Sequence, residues 1–207
     1  MNKWVLIVCV VLALALVAAI ILVPLQLSGA FSDVSATVQV GDPMPDFSLA
    51  DYSGKTHTLK QYAGKIVVLV FCSHKCPFSR GIDQDLAALA RSHDNNENIV
   101  FLGIDSHYDT TAEEIRAHAV AMGLPYPILR DPGNAYADAV GALVTPDIFI
   151  VNKKGELAYR GAFDNRLIPD RPGSIGYVAN AIDALLIEIL VNPTHVPAWG
   201  CTIKRAS

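Results

Sequence analysis

The sequence predicts an α/β fold, a mixed central sheet flanked by helices, preceded by one N-terminal membrane-spanning helix. Three observations predict it. Short apolar runs of strand type alternate with helical patterns between residues 66 and 140; two β-rich runs around a turn and a last amphipathic helix then close the chain; and residues 4–23 carry no charge at all. Alternating strands and helices bury a sheet between helical layers, and the terminal hairpin adds antiparallel neighbours to parallel ones.

At the N-terminus, the uncharged run from Trp4 to Val23 is extended by residues 25–27. It reaches the roughly 20 apolar residues that cross a bilayer. Lys3 is the one basic residue in front of it, so the positive-inside tendency leaves the N-terminus in the cytoplasm and exports the rest. The expected location is therefore the cell membrane, single-pass, with the C-terminal domain on the periplasmic or extracytoplasmic side. Ser28-Gly29-Ala30 would serve as a signal-peptide cleavage site, but the apolar core of a signal peptide is usually about 7–15 residues and this run is longer. An uncleaved anchor over 1–27 is expected, followed by a linker over 28–40, a domain over 41–190 and a tail over 191–207.

Within the domain, Pro43 and Pro45 impose an extended lead-in. Short alternating runs at 47–49 and 56–59 flank Ser53-Gly54-Lys55 and read as a small hairpin. The continuous apolar run 66–71 reads as a strand buried on both faces. Pro77 then suits the first position of a helix, which Ile82, Leu86 and Leu89 continue at helical spacing to about residue 91. A second strand at 99–104 precedes Thr111 and Glu114, a capping box for a helix that Gly123 closes. A third strand at 126–129, a short helix at 134–140, a hairpin at 147–151 and 156–160, and a helix from about 174 to 190 complete the pattern.

Charge narrows the function. With 16 Lys and Arg against 20 Asp and Glu, net charge −4, nothing argues for nucleic acid, and the basic pairs Lys153-Lys154 and Lys204-Arg205 are too short to form a patch. Of the four cysteines, Cys9 lies in the apolar run, which leaves Cys72, Cys76 and Cys201. An exported framework of structural disulfides favours even numbers, so at least one thiol is free, exchanging, metal-bound or intermolecular.

The chemistry concentrates in Cys72-Ser73-His74-Lys75-Cys76-Pro77. A sulfur at Cys76 sits where unpaired helix N–H groups and the positive end of the dipole favour a thiolate. Lys75 and His74 offer side-chain positive charge as well, and depressed thiol pKa values belong to such surroundings. Cys72, still in phase with the strand, also reads as a small buried hydrophobe. Two cysteines four apart at a strand-to-helix junction nevertheless point to a redox or metal role.

The segments Gly41-Asp42-Pro43-Met44-Pro45-Asp46-Phe47-Ser48-Leu49, Gly64-Lys65-Ile66-Val67-Val68-Leu69-Val70-Phe71, Cys76-Pro77 and Thr145-Pro146-Asp147-Ile148-Phe149-Ile150-Val151 resemble the redoxin branch of the thioredoxin-like superfamily, which holds the AhpC/TSA (peroxiredoxin-like) proteins. Tyr159-Arg160-Gly161-Ala162-Phe163-Asp164-Asn165 and the Gly200-Cys201-Thr202-Ile203-Lys204-Arg205 tail resemble a bacterial subgroup with a Gly-Cys-x-Ile-Lys ending. The resemblance implies a thioredoxin-like fold over about 40–190, a cis bond at Thr145-Pro146 facing the active-site sulfur, and a main-chain edge left open there for a substrate strand. It also implies thiol–disulfide exchange or thiol-dependent peroxide reduction, on a protein dithiol or disulfide or on a peroxide. The expected site is Cys76 as nucleophile, Cys72 as first-choice resolving thiol, Ser73 as hydrogen-bond partner of the thiolate or of a substrate oxygen, Pro146 shaping the groove, and Cys201 as a second candidate resolver within the chain or between protomers. No cofactor and no metal are expected. Trp199 is expected to anchor the tail on an apolar patch.

Departures keep other readings open. Three residues separate Cys72 from Cys76 where thioredoxin-type proteins have two; Leu69 stands where peroxiredoxins have a proline, and Thr145-Pro146 where they have an arginine context. Sco-type copper chaperones share a Cys-x-x-x-Cys-Pro motif and the fold, although no histidine precedes the strand at 147. A thioredoxin-fold scaffold that binds a partner without turnover is the third reading.

Overall fold

The computed structural model describes residues 37–205. The expected anchor at 1–27 and the linker up to residue 36 lie outside the described residues; among those described, no helix is long and apolar enough to cross a membrane.

The central strand β3, Ile66–Phe71, is buried along its whole length. Its side chains alternate between two cores, as a pleated strand requires: Ile66, Val68 and Val70 enter one, Val67, Leu69 and Phe71 the other. Ahead of it, β1 (Ser48–Ala50) and β2 (Thr56–Thr58) form the expected hairpin. Behind it come α1 (Pro77–Ser92), β4 (Ile99–Asp105), α2 (Ala112–Met122), β5 (Ile128–Arg130), α3 (Ala135–Val140), β6 (Val144–Thr145), β7 (Asp147–Val151), β8 (Leu157–Gly161), α4 (Tyr177–Leu186), β9 (His195–Val196) and β10 (Cys201–Thr202). The main sheet runs β5-β4-β3-β7-β8-β9. Strand β3 pairs parallel with β4 and antiparallel with β7, so the sheet is mixed as expected.

Local signals set the helices. Ile82, Leu86 and Ala90 line the buried stripe of α1. Thr111 and Glu114 form the reciprocal capping box of α2, and Gly123 ends it at φ 59°. Helix α4 is shorter than the span 174–190 expected for it. At its start, Asn165 exchanges hydrogen bonds with Ile175, Asn165 N to Ile175 O at 3.2 Å and Ile175 N to Asn165 Oδ1 at 2.8 Å, so these residues pair with a loop. At its end, Glu188 adopts φ 60° and Ile187, Ile189 and Leu190 stay exposed, so the apolar spacing past Leu186 finds nothing to bury against.

Residues 191–205 continue the domain instead of leaving it. Strand β9 joins β8 in parallel, β10 pairs antiparallel with β6, and Ile203 is buried among Phe71, Tyr136 and Phe149. Replacing Ile203 with Ala should lower the unfolding free energy by about 2–5 kcal/mol, the usual range for an isoleucine emptied from a packed core. Denaturant unfolding of the variant beside the wild type measures it; a tail that contributes no core packing would give no change.

Candidate active site

Cys76 occupies the N-cap of α1, with extended backbone (φ −93°, ψ 119°) and Pro77 at the first helical position. The turn before it is held by its own polar groups: Cys76 N donates to Ser73 O at 3.1 Å, Lys75 N to Ser73 Oγ at 3.2 Å, and Ser73 N to Ser79 Oγ at 3.0 Å. The Ser73 hydroxyl accepts within the turn and makes no bond to the Cys76 sulfur, one of the two roles expected of it, the other being a bond to a substrate oxygen. Cys76 Sγ donates instead to Thr145 O at 3.0 Å across 69 residues of sequence. Strand pairing sets Cys201 directly opposite Thr145, and this brings the Cys201 thiol to Cys76.

The tail is fitted closely here. A side chain on Gly200 would collide with the Thr145 carbonyl. Trp199 packs edge-on against Phe78 with ring centroids 4.8 Å apart, the anchoring role expected of it. Cys76 is consequently covered, 1 % exposed, while Cys201 keeps partial exposure. The Thr145-Pro146 bond is cis, as is Asn192-Pro193, and Pro146 lines a groove with Phe78, Ile82, Phe163 and Trp199. The edge expected to stay open beside Pro146 is taken by β10, because the chain's own tail satisfies the N–H and C=O groups a substrate strand would need.

Electrostatics separate the three thiols. Burial works against the Cys76 thiolate, but the Cys201 thiol, the Thr145 side chain and the backbone N–H groups of Ser79 and Cys201 outweigh it, and the pKa falls below the ordinary thiol value. The Thr145 hydroxyl is buried with no partner in hydrogen-bonding geometry, which leaves it free to turn toward the Cys76 thiolate. Cys201 is pushed up to about 11 by burial and by its hydrogen bond to, and repulsion from, the Cys76 thiolate. Cys72 is raised well above the ordinary value, first by burial of its sulfur and then by the carboxylates of Asp105 and Asp83. It lines a different pocket from Pro146, together with His74, Asp83, Asp105, His118 and Tyr126.

The cationic help expected from Lys75 and His74 goes elsewhere. Lys75 Nζ donates to Asp109 O at 2.7 Å and faces the Asp109 and Glu114 carboxylates at 3.4 and 3.7 Å. The His74 pKa is depressed by burial. The sequence does not single out Ser79, although the N–H of the third helical residue commonly points back at the N-cap, and the sequence brings Thr145 to the site only as the residue before Pro146, not as a hydrogen-bond partner of the sulfur. Thr145 acts through a contact no local pattern announces. Among the described residues, no group of three or more His, Cys, Asp or Glu is placed to hold a metal ion.

A chain with this sheet and a thiol at the head of α1 is an α/β thioredoxin-like protein. The AhpC/TSA family pattern matches residues 40–160, more than half of the chain, and the chain belongs to that family. It is 28% identical over 145 residues to the chloroplastic peroxiredoxin Q of Triticum aestivum, covering 67% of this chain and 64% of that protein's length. It is 25% identical over 129 residues to the thiol-disulfide oxidoreductase ResA of Geobacillus thermodenitrificans, covering 61% and 71%. A hypothetical protein of Sinorhizobium meliloti has a crystal structure that superposes with TM-score 0.76 at 30% identity over 83% of this chain and 97% of that one.

The pocket behind Cys72 carries its own pH dependence. Burial raises Asp105 from 3.8 to about 7. Its folded pKa exceeds the unfolded one, so its contribution to stability is complete below about pH 4 and is lost as pH rises through about 7. Asp105→Asn should therefore gain stability relative to wild type between pH 4 and 8, read from unfolding midpoints across that range; a constant difference would remove Asp105 as the source.

Proposed function

We propose that this chain is a membrane-anchored, exported thiol oxidoreductase in which Cys76 is the nucleophile and Cys201 the resolving thiol. The observation that carries the reading is the β10–β6 register, which sets Cys201 opposite Thr145, the residue whose carbonyl accepts from the Cys76 thiol. The Cys76 thiolate attacks one sulfur of a substrate disulfide, forming a mixed disulfide and expelling the other sulfur as a thiolate. Cys201 then loses its proton and attacks the Cys76 sulfur, which closes the Cys76–Cys201 bridge and releases the second substrate thiolate. With a peroxide, the Cys76 thiolate attacks the distal oxygen, the O–O bond breaks and the other oxygen leaves protonated as an alcohol or water; the Cys76 sulfenic acid then condenses with the Cys201 thiol to the disulfide, releasing water.

The two steps are ordered by charge. While Cys76 is a thiolate, its hydrogen bond and its repulsion hold the proton on Cys201. Once that sulfur is bonded, both effects vanish and Cys201 becomes the easier thiol to deprotonate. Cys72 is the weaker resolver because Asp105 and Asp83 oppose its thiolate throughout. The uncharged run at residues 4–23 supports the anchor and the extracytoplasmic location. The relatives' names, a peroxiredoxin and a thiol-disulfide oxidoreductase, support a protein dithiol or disulfide, or a peroxide, as substrate.

Equilibrating the full chain in glutathione buffers, then blocking free thiols and mapping disulfide-linked peptides, tests the assignment. A reversible Cys76–Cys201 bridge is expected, with Cys72 alkylated only after unfolding. A Cys72–Cys76 bridge would move the resolving role to Cys72, and thiols that never pair would remove the redox centre altogether.

A further inference from the structure

The two thiols lie on segments joined by a third, the loop that follows β4. Lys75, next to Cys76, and Lys204, three residues beyond Cys201, converge on one carboxylate: Lys75 Nζ lies 3.4 Å from Asp109 Oδ1 and Lys204 Nζ 3.5 Å from Asp109 Oδ2. The loop grips the tail's backbone as well. Tyr108 N donates to Lys204 O at 3.2 Å, and Lys204 N donates to His107 Nδ1 at 3.4 Å. Lys75 meanwhile donates to the Asp109 carbonyl at 2.7 Å, so the same residue holds the Cys76 turn through its backbone and its side chain.

We propose that Asp109 is a positioning residue that registers the Cys201 tail against the Cys76 turn and thereby sets how readily the Cys76–Cys201 disulfide closes. The inference rests on the pairing of those two cysteines proposed above. Asp109 touches neither sulfur, and the groups that favour the Cys76 thiolate are Cys201, Thr145 and Ser79, with Lys75 and Asp109 outside that set. Its action is therefore on the distance and orientation between the thiols.

A closing dithiol competes with free glutathione in proportion to the effective concentration of one thiol at the other, a quantity that falls steeply when the connecting structure loosens. Without the carboxylate, two ammonium groups on the two cysteine-bearing segments also lose the charge that neutralises them. Each of these ion pairs is partly exposed, so each is modest and weakened by salt. Their joint effect on closure is a few-fold, within reach of an equilibrium measurement.

The test is the equilibrium constant for closure, two reduced thiols plus glutathione disulfide giving the Cys76–Cys201 bridge plus two glutathione molecules. It is measured on the full chain as wild type, Asp109→Asn and Asp109→Glu, at low and high salt. Alkylation of Cys76 in each reduced protein is followed against pH alongside. Asp109→Asn should lower the closure constant about three- to tenfold, Asp109→Glu should recover most of the loss, and high salt should bring wild type toward the Asn variant. The Cys76 alkylation midpoint should rise by much less than the change in the closure constant, because only the Cys201 hydrogen bond among its supports is loosened. A closure constant equal in wild type and Asp109→Asn overturns the clamp alone; an alkylation profile that shifts by the same factor overturns it too, by placing the effect on the thiolate. A wild type that never closes the bridge overturns the cysteine pairing and the clamp with it.

Discussion

The pairing of two short strands, β10 with β6, is the contact on which the proposed thiol chemistry depends. Cys76 by itself is a buried thiol at a helix N-cap, and burial alone would keep its proton on. The donors that reverse this come from three parts of the chain: Ser79 on the same helix, Thr145 before Pro146, and Cys201 near the C-terminus. The two-residue register that places Cys201 opposite Thr145 assembles them. Gly200 permits the approach because no side chain fits against the Thr145 carbonyl, and Ile203 ties the strand to the fold by burying its side chain in the core that also holds Phe71 and Phe149.

The same junction gives two neighbouring cysteines opposite characters. At the end of β3, Cys72 sits near Asp105 and Asp83, whose negative charge adds to desolvation and keeps the thiol protonated. One turn further, hydrogen-bond donors around the Cys76 sulfur offset the same kind of desolvation, while the thiol form is met by the Thr145 carbonyl. Like charges near a group disfavour its ionised form and donors favour it, so sequence proximity says little about shared reactivity here. The thiol that hydrogen-bonds Cys76 comes instead from 125 residues away.

What the sequence made legible follows from periodicity and local chemistry. The six apolar residues of β3, Pro77 at the head of α1 and the Thr111–Glu114 capping box are local signals, and the structure has each element where they place it. The thioredoxin-like frame followed from those elements together with the family resemblance. The spacing of Ile187, Ile189 and Leu190 extends α4 past its true end, because it does not reveal that Glu188 breaks the helix before a surface is met. Adjacency in sequence places Lys75 beside the thiolate and hides that its long side chain runs toward Asp109. The occupied edge beside Pro146 was not legible either, since strands of two residues leave no periodic pattern. Cys201 could be named as a candidate from its Gly-Cys-x-Ile-Lys setting, but its place against Thr145 is a long-range pairing that only the folded chain displays.

The most direct measurement of this account is the pH dependence of Cys76 alkylation in the reduced full chain, compared between wild type and Cys201→Ala. The thiolate is held partly by the Cys201 side chain, so removing that side chain should move the midpoint to higher pH and slow alkylation at neutral pH. A midpoint that stays in place or falls would show that Cys201 does not support the Cys76 thiolate, and would contradict the claim that the tail completes the active site.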